Sequence, residues 1–173
     1  TSSTLAAGPH TLTARQTDRA GNLGAASPGL VVTIDATAAT PATPDLATAS
    51  DTGASSTDNV TQLTTPNFTG TGVEAGATVT LYGTNGITAI GSATADAAGA
   101  WSVTTSALAA GRHRVTARQT GKAGNVSAAS NGLWVTIDPT ATALSAPDLI
   151  AAADTGVLNS DNLTALTGVT VTG

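Results

Sequence analysis

The sequence contains no cysteine, and this absence excludes a disulfide, a thiolate zinc site and a cysteine nucleophile. Aromatic residues make up only 2% of the 173 residues, whereas hydrophobic residues make up 40%. A core must therefore be built from small aliphatic side chains around very few rings. A protein without disulfides often gains stability from bound metal instead, which directs attention to the acidic residues.

Charged residues are also scarce. They make up 10% of the chain, and the formal net charge is −5 with a sequence pI near 4.5. Such a chain is not expected to carry the basic stripe that neutralises phosphates, so nucleic acid is not expected as a partner. No run of about 18 apolar residues is present, so membrane insertion within this fragment is not expected, and no signal peptide is visible.

All the acidic residues except Glu74 are aspartates. Aspartate is short, favours turns and is a preferred oxygen ligand for calcium. Composition alone therefore leaves two interpretations open, namely turn formation and calcium binding.

The main feature of the sequence is an internal repeat with an offset of 103 residues. Leu5 recurs as Leu108, and the same offset carries 13–17 onto 116–120, 32–35 onto 135–138 and 44–46 onto 147–149. About 40 of the 70 aligned positions are identical without a gap, which chance does not produce. We therefore expect the C-terminal part of one repeat at 1–36, a complete repeat at 37–139 and the N-terminal part of a third at 140–173, as a window on a longer array.

Short segments with alternating apolar and polar residues predict β-strands, which we expect at 45–50, 59–71, 77–82, 87–95, 100–105, 112–120 and 131–138. Turn sequences at 83–86 and 96–99 favour hairpins. Closely spaced strands without a helical period predict an all-β fold of tandem immunoglobulin-like antiparallel β-sandwiches. In the last strand, Leu133, Val135 and Ile137 would share the buried face and leave Trp134 outward.

His113 lies where a sandwich of this kind turns into its penultimate strand. The position resembles the tyrosine corner of immunoglobulin folds, with histidine in place of tyrosine, and predicts a hydrogen bond to the backbone just upstream. A catalytic or metal-binding role for His113 is disfavoured because no nucleophile or ligand partner lies near it in the sequence.

Several ordered motifs are similar to those of the bacterial immunoglobulin-like repeats of giant biofilm-associated and type I-secreted adhesins. They are Pro-Asp-Leu at 44–46, Ser-Asp-Thr-Gly at 50–53, Thr-Asp-Asn-Val-Thr at 57–61, Ala-Gly-Ala-Thr-Val at 75–79, Leu-Ala-Ala-Gly at 108–111 and Ala-Gly-Asn-Val-Ser at 123–127. The resemblance covers the whole chain. It implies an extracellular spacer on the bacterial cell surface that projects an adhesive tip for cell adhesion or biofilm formation. It also implies calcium at module junctions in many relatives.

The repeated acids are the candidate calcium ligands. In a sandwich of this topology, the turn after the first strand and the end of the last strand lie at one pole, where Asp51, Asp58 and Asp138 would converge. Three carboxylates and loop carbonyls would supply most of a calcium shell of about six to eight oxygens. The equivalent candidates in the other repeats are Asp35, Asp154 and Asp161. Turn formation by the same side chains remains the alternative.

The neighbouring repeat would complete each site through a loop that reads Asp18-Arg19-Ala20-Gly21-Asn22 in the first repeat. In the middle repeat Gly121-Lys122 replaces Asp18-Arg19, so we expect the site at Asp35 to be weak or absent. The linker 36–44 contains Pro41 and Pro44, which favour an extended backbone and semi-rigid spacing of the repeats.

Catalysis is not expected, because the sequence shows no grouping of histidine, acid and nucleophile and no glycine-rich phosphate loop that opens a helix. The alternative function is a glycan- or protein-binding module that uses Trp134, which replaces Val31 of the preceding repeat and offers one ring. The expected partners are neighbouring repeats of the same chain. Other copies of the chain in a fibre are further candidates, because incomplete repeats leave strand edges open.

Overall fold

The computed structural model describes residues 3–155, 157–158 and 160–172. The chain divides into two compact units, Thr1–Pro139 and Thr140–Gly173. Every regular element in the described ranges is a β-strand, which confirms the predicted all-β class.

The strands of the first unit are short and follow one another closely. They are β1 (Gly8–Leu12), β2 (Leu30–Ile34), β3 (Asp45–Leu46), β4 (Val60–Thr61), β5 (Asn67–Gly70), β6 (Thr78–Tyr82), β7 (Ala89–Thr94), β8 (Trp101–Thr104), β9 (Gly111–Thr120) and β10 (Leu133–Ile137). The second unit contains β11 (Asp148–Leu149) and β12 (Val171–Thr172), which pair antiparallel.

Strands β3 to β10 form two sheets, one with the order β3-β5-β8 and the other with the order β4-β10-β9-β6-β7. All neighbours are antiparallel except β4, which runs parallel to β10. Phe68 and Val103 of the first sheet and Leu81, Val115 and Val135 of the second belong to one buried cluster. The two inner faces therefore pack as the predicted β-sandwich.

Alternation along β10 is as the sequence predicts. Val135 and Ile137 are fully buried, Leu133 packs against the same core, and Trp134 is 44% exposed on the other face. The core has only two rings, Phe68 and Trp101, so aliphatic side chains fill most of it.

The hairpin of β1 and β2 has the same register as the hairpin of β9 and β10. Gly8 pairs with Ile34 in the first hairpin, and Gly111 pairs with Ile137 in the second, which is the same pairing displaced by 103 residues. The predicted corner is present in both, because the Nε2 atoms of His10 and His113 lie 2.8 Å from the carbonyl oxygens of Ala6 and Ala109. The sequence repeat is thus also a repeat of hydrogen bonding.

Two predicted strands are wrong in their extent. The expected strand 59–71 is divided into β4 and β5, which belong to different sheets. β4 already ends at Thr61, whose Oγ1 accepts from the Leu63 amide, and β5 begins directly after the buried Pro66, which has no amide hydrogen to donate to a neighbouring strand. The expected strand 45–50 ends at Leu46, because the amides of Ser50 and Asp51 both donate to the carbonyl of Ala47 and close a turn.

Candidate functional site

The turn 51–60 contains a buried aspartate with one unpaired oxygen. Asp51 is only 5% exposed, and its Oδ2 accepts a hydrogen bond from the Asn59 amide at 3.1 Å. Asn59 has a φ of 59°, a left-handed conformation that asparagine tolerates better than most residues. Oδ1 of Asp51 is also buried and has no hydrogen-bond partner. A buried carboxyl oxygen without a partner is costly unless something satisfies it.

The same arrangement recurs in the second unit. Asp154 is 3% exposed, its Oδ2 accepts from the amide of Asn162 at 3.3 Å, and its Oδ1 is buried without a partner. Asn162 is left-handed as well, with a φ of 61°. The buried, half-satisfied carboxyl group is therefore part of the repeat and not a local irregularity.

Asp58 and Asp161, the second acid of each turn, are exposed and form local turns. Oδ1 of Asp58 accepts from the amide of Val60 at 3.1 Å, and Oδ1 of Asp161 accepts from the amide of Leu163 at 3.1 Å. These two contacts confirm the turn-forming interpretation for one oxygen of each side chain. The second oxygen of each side chain makes no hydrogen bond within the described residues.

Asp35 and Asp138 lie at the ends of β2 and β10, and both are exposed. Oδ1 of Asp35 accepts from the amide of Thr37 at 3.2 Å, whereas the Asp138 amide donates to the Thr61 carbonyl at 2.8 Å. This backbone hydrogen bond places Asp138 beside the end of β4. Asp58 lies just before the start of the same strand.

The described part of the chain contains no group of three or more histidine, cysteine, aspartate or glutamate side chains that would hold a metal ion. Asp51 and Asp58 share one turn, but the structure does not join Asp138 to them as a cluster of three acids. The potential metal ligands at the turn are all oxygen atoms. One of them, Oδ1 of Asp51, is buried without a hydrogen-bond partner, which suits a hard cation. A calcium ion at this turn would take its remaining ligands from carbonyl groups and water.

A loop of the middle repeat holds the end of the first repeat. The side-chain amide of Asn125 donates to the carbonyl oxygen of Asp35 at 2.8 Å, so Asp35 meets this loop as the sequence predicts. In the first repeat the equivalent Asn22 donates instead to Oδ2 of Asp18 at 2.9 Å. Because Gly121 replaces that aspartate, the amide of Asn125 is available to the preceding repeat.

A second amide holds the linker. The buried Gln119 donates from Nε2 to the carbonyl oxygen of Ala39 at 2.5 Å and accepts at Oε1 from the amide of Glu74 at 2.8 Å. Pro41 and Pro44 of the linker are themselves buried. The linker is therefore packed and hydrogen-bonded, and these contacts restrict its backbone in addition to the prolines that the sequence analysis identified.

Glu74 lies beside the loop that begins at Gly121, and the sequence did not predict this contact. A Cβ atom built on Gly121 would collide with Oε2 of Glu74, so the glutamate carboxylate occupies the space next to Gly121. Gly121 does replace the aspartate of the first repeat, but an acid from another part of the chain lies beside it. The expectation of a weak or absent calcium site at Asp35 stays a prediction. Comparison of repeats offered no signal, since the position equivalent to Glu74 falls outside both partial repeats.

Hydrogen bonding lowers the pKa of Asp18 in the first repeat below its ordinary value. The largest cause is the hydrogen bond from the side chain of Asn22, followed by the one from the Asn22 backbone amide. The Asp18 side chain is thus held ionised by the loop that it closes.

The outward face of β9 and β10 carries the one candidate ligand-binding ring, Trp134. The guanidinium carbon of Arg112 lies 4.3 Å from the centre of that ring. Arg114 and Arg118 follow on the same face of β9, because side chains alternate along a strand. Three of the six cations of the chain thus lie on this one strand, a concentration that composition alone did not predict.

In the described residues, no helix has the length and apolar character needed to cross a bilayer. A search of curated proteins finds no match to the chain. The family model for the bacterial Ig-like domain matches residues 37–139, which is more than half of the sequence. This match agrees with the two packed sheets of the middle repeat, and the chain belongs to the bacterial Ig-like domain family.

Proposed function

We propose that this chain is a structural spacer within an extracellular bacterial adhesin or surface fibre, and that it holds an adhesive tip away from the cell for adhesion or biofilm formation. Bacterial Ig-like domains are often found on surfaces and are generally non-enzymatic. The observation that supports a spacer most directly is the β1–β2 hairpin, which repeats the β9–β10 register at the sequence offset of 103 residues.

A spacer transmits force and keeps its length only if its modules do not fold back on one another. The hydrogen bonds of Asn125 to Asp35 and of Gln119 to Ala39 act in this direction, because they fix the linker backbone at two points. The buried prolines of the linker further reduce its freedom to bend. The proposed role therefore needs no catalytic group, and we propose none.

We further propose that calcium stiffens the array. Asp51 and Asp58 would hold it in the middle repeat, and Asp154 and Asp161 in the following one, while Asp35 and Asp138 would add carboxylates at the strand ends. Calcium would supply a positive charge that neutralises the buried Oδ1 of Asp51 and Asp154. The support for this proposal is the pair of unsatisfied oxygens at equivalent positions.

The spacer role is tested in the bacterium that produces the protein. Antibodies against this chain are expected to label intact cells, and brief protease treatment of intact cells is expected to remove the label. An in-frame deletion of residues 37–139 should leave expression unchanged and weaken adhesion by bringing the tip closer to the cell. Label that appears only after lysis would refute the surface location.

Calcium binding is tested separately by thermal unfolding in calcium and in chelator. If calcium is present at 100 times its dissociation constant, stability should rise by about 2.7 kcal/mol. Asp51→Asn should abolish most of this gain and, in chelator, should not destabilise the protein, because the neutral amide removes an unsatisfied carboxylate. Asp96→Asn is the matched control, since Asp96 also caps a turn but in the separate connection between β7 and β8. Equal melting curves in calcium and chelator would refute the metal.

A further inference from the structure

The five-stranded sheet is basic although the chain is acidic. Its strands, β4, β10, β9, β6 and β7, contain no aspartate or glutamate, and they carry three of the six lysine and arginine residues of the chain. Those three residues are Arg112, Arg114 and Arg118, all on β9. The outward face of this sheet, which we name the basic face, therefore has a charge opposite to that of the whole molecule.

The three arginines form a line. They lie on the face of β9 opposite the buried Val115, Ala117 and Gln119. Arg112 and Arg114 are exposed, Arg118 is half-buried, and the buried Thr116 lies between Arg114 and Arg118. With a rise of about 3.4 Å per residue, the Cα atoms of Arg112 and Arg114 are about 7 Å apart, and the line to Arg118 is about 20 Å long. The basic face thus presents cations at intervals along one direction.

Aromatic rings flank this line on both sides. Trp134 of β10 lies directly opposite Arg114, and Tyr82 of β6 lies opposite Thr116, the residue between Arg114 and Arg118 on the same face. Arg112 stacks over the Trp134 ring at 4.3 Å, which holds a flexible side chain in one place. The chain has few aromatic residues, so the presence of two on the basic face is notable for recognition.

The arginines are not used in ion pairs of the fold. Arg118 donates to the backbone carbonyl of Ser127 at 3.1 Å, and the side chain of Arg114 lies across Gly132. Nothing in the part of the chain that the structure describes pairs these guanidinium groups with a carboxylate. Their remaining N–H donors are therefore available to an external anion. The planar guanidinium group can bind an anionic group through two parallel hydrogen bonds.

We propose that the basic face binds an acidic polysaccharide, with its carboxylate or sulfate groups on Arg112 and Arg114 and its sugar rings beside Trp134. The exposed Ser92 and the half-exposed Thr80 and Thr136 lie on the same face, and hydroxyl side chains of this kind can hydrogen-bond to the hydroxyl groups of a sugar. This inference is independent of the spacer role and of calcium.

Charge spacing favours such a polysaccharide over nucleic acid. Duplex DNA carries about one charge per 1.7 Å of helix axis, far denser than three cations over about 20 Å, and a chain with a net charge of −5 repels it. A glycan with one acidic group per one or two sugars has a charge density nearer to that of the basic face. Its repulsion by the rest of the chain is correspondingly weaker.

Arg112, Arg114 and Trp134 have no counterpart of the same type in the first repeat, whereas Arg118 corresponds to Arg15. The first repeat has Pro9, Thr11 and Val31 where the middle repeat has Arg112, Arg114 and Trp134, although its hairpin has the same register. The features that would bind the glycan are therefore additions to the shared fold. The residues at these positions in the first repeat are suitable replacements for a test, because a hairpin of the same register already contains them.

The test uses the full chain and three polymers with the same backbone, namely dextran, carboxymethyl-dextran and dextran sulfate, with a single-stranded DNA oligonucleotide as the competing class. Binding is followed by isothermal titration calorimetry, which also works in the variant without Trp134, and in the unmodified chain by fluorescence as well, since Trp134 is 44% exposed and Trp101 only 5%. Arg114→Thr with Trp134→Val, and Arg112→Gln with Arg114→Thr, are the site variants. Arg15→Gln with Arg19→Gln removes the same charge from the first repeat as a control.

We expect the charged dextrans to bind and neutral dextran not to bind. The double arginine variant should weaken binding about tenfold or more, because two charge-assisted contacts are lost, while the control changes it by less than about twofold. The carboxymethyl and sulfate arms identify which acidic group is preferred. No binding of either charged dextran, equal loss in the control, or tighter binding of DNA than of both charged dextrans would overturn the proposal.

Discussion

Replacement of Gly99 by alanine should strongly destabilise the middle repeat. Gly99 closes the turn between β7 and β8 with a φ of 74°, and its amide donates to the Asp96 carbonyl at 3.1 Å. A Cβ atom at this position would lie well inside 3.0 Å of the Val73 carbonyl oxygen, a backbone atom that cannot rotate away. Gly99→Ala therefore combines a disfavoured backbone conformation with a collision.

The magnitude follows from these two contributions. A left-handed conformation costs an alanine about 1 to 2 kcal/mol. Moving the backbone at Val73 would strain a residue that is buried in the core and would weaken the hydrogen bond from its amide to the Gly99 carbonyl, at a cost of about 1 to 3 kcal/mol. The total is about 2 to 5 kcal/mol, which corresponds to a fall of roughly 10 to 25 °C in melting temperature for a domain of this size.

Gly86 provides the matched control. Its φ is 68°, close to that of Gly99, but a Cβ atom there would meet nothing within 4 Å. Gly86→Ala should therefore show only the backbone cost, about 1 to 2 kcal/mol. Thermal unfolding monitored by the fluorescence of the buried Trp101 measures both variants. If the two substitutions lower the melting temperature equally, the collision with Val73 is not real and the reasoning fails.

Three further predictions concern the loops and the junction. His113→Ala should lower the free energy of unfolding by about 0.5 to 1.5 kcal/mol in urea, because it removes the bond to the Ala109 carbonyl; an unchanged value would refute the corner. An NMR titration should place the pKa of Asp18 below its ordinary value, and Asn22→Ala should raise it; since the folded-state pKa is lowered, the stabilisation exists above the unfolded-state pKa and is lost as pH falls through the folded-state pKa. Asn125→Ala should increase the mobility of the 8–34 hairpin in NMR relaxation, and identical relaxation in the variant would show that the bond to Asp35 does not restrain the junction.

Local patterns predicted much of this fold. The alternation of β10, the turns before β7 and β8 and the corner histidine all depend on neighbouring residues, so a single stretch of sequence contains the information. The hairpin predicted at 96–99 is wrong, however, because the turn there joins β7 and β8, which belong to different sheets. The displacement of 103 residues then predicted that the first hairpin would match the second, and the two registers agree.

The features that were missed depend on contacts distant in sequence. The chain passes from one sheet to the other between Thr61 and Asn67. Strand β4 pairs with β10, whereas β5 pairs with β3 and β8. Glu74 approaches Gly121 across 47 residues, and the space it fills exists only because Gly121 has no side chain. Composition also concealed the basic face, because six cations in 173 residues seem sparse until strand geometry places three of them in one line.

The predicted metal site was recognised by residue type but not by environment. The residue types of Asp51 and Asp58 predict two equivalent ligands, whereas the structure buries Asp51 and leaves Asp58 exposed. Asp51 is buried because β3 ends early at Leu46 and the turn at 47–51 then directs the chain towards the core. The calcium assignment stays a prediction, and the buried oxygen of Asp51 is its sharpest test.

The constant displacement between the two hairpins has a consequence for the gene. When two copies of a repeat recombine at aligned codons, the product joins the front of one copy to the back of the other. Because Gly8 pairs with Ile34 as Gly111 pairs with Ile137, such a hybrid hairpin would keep its register wherever the crossover falls. If the chain is a spacer in a longer array, as proposed, unequal exchange would lengthen or shorten that array by whole folding units and so change its length without requiring new contacts.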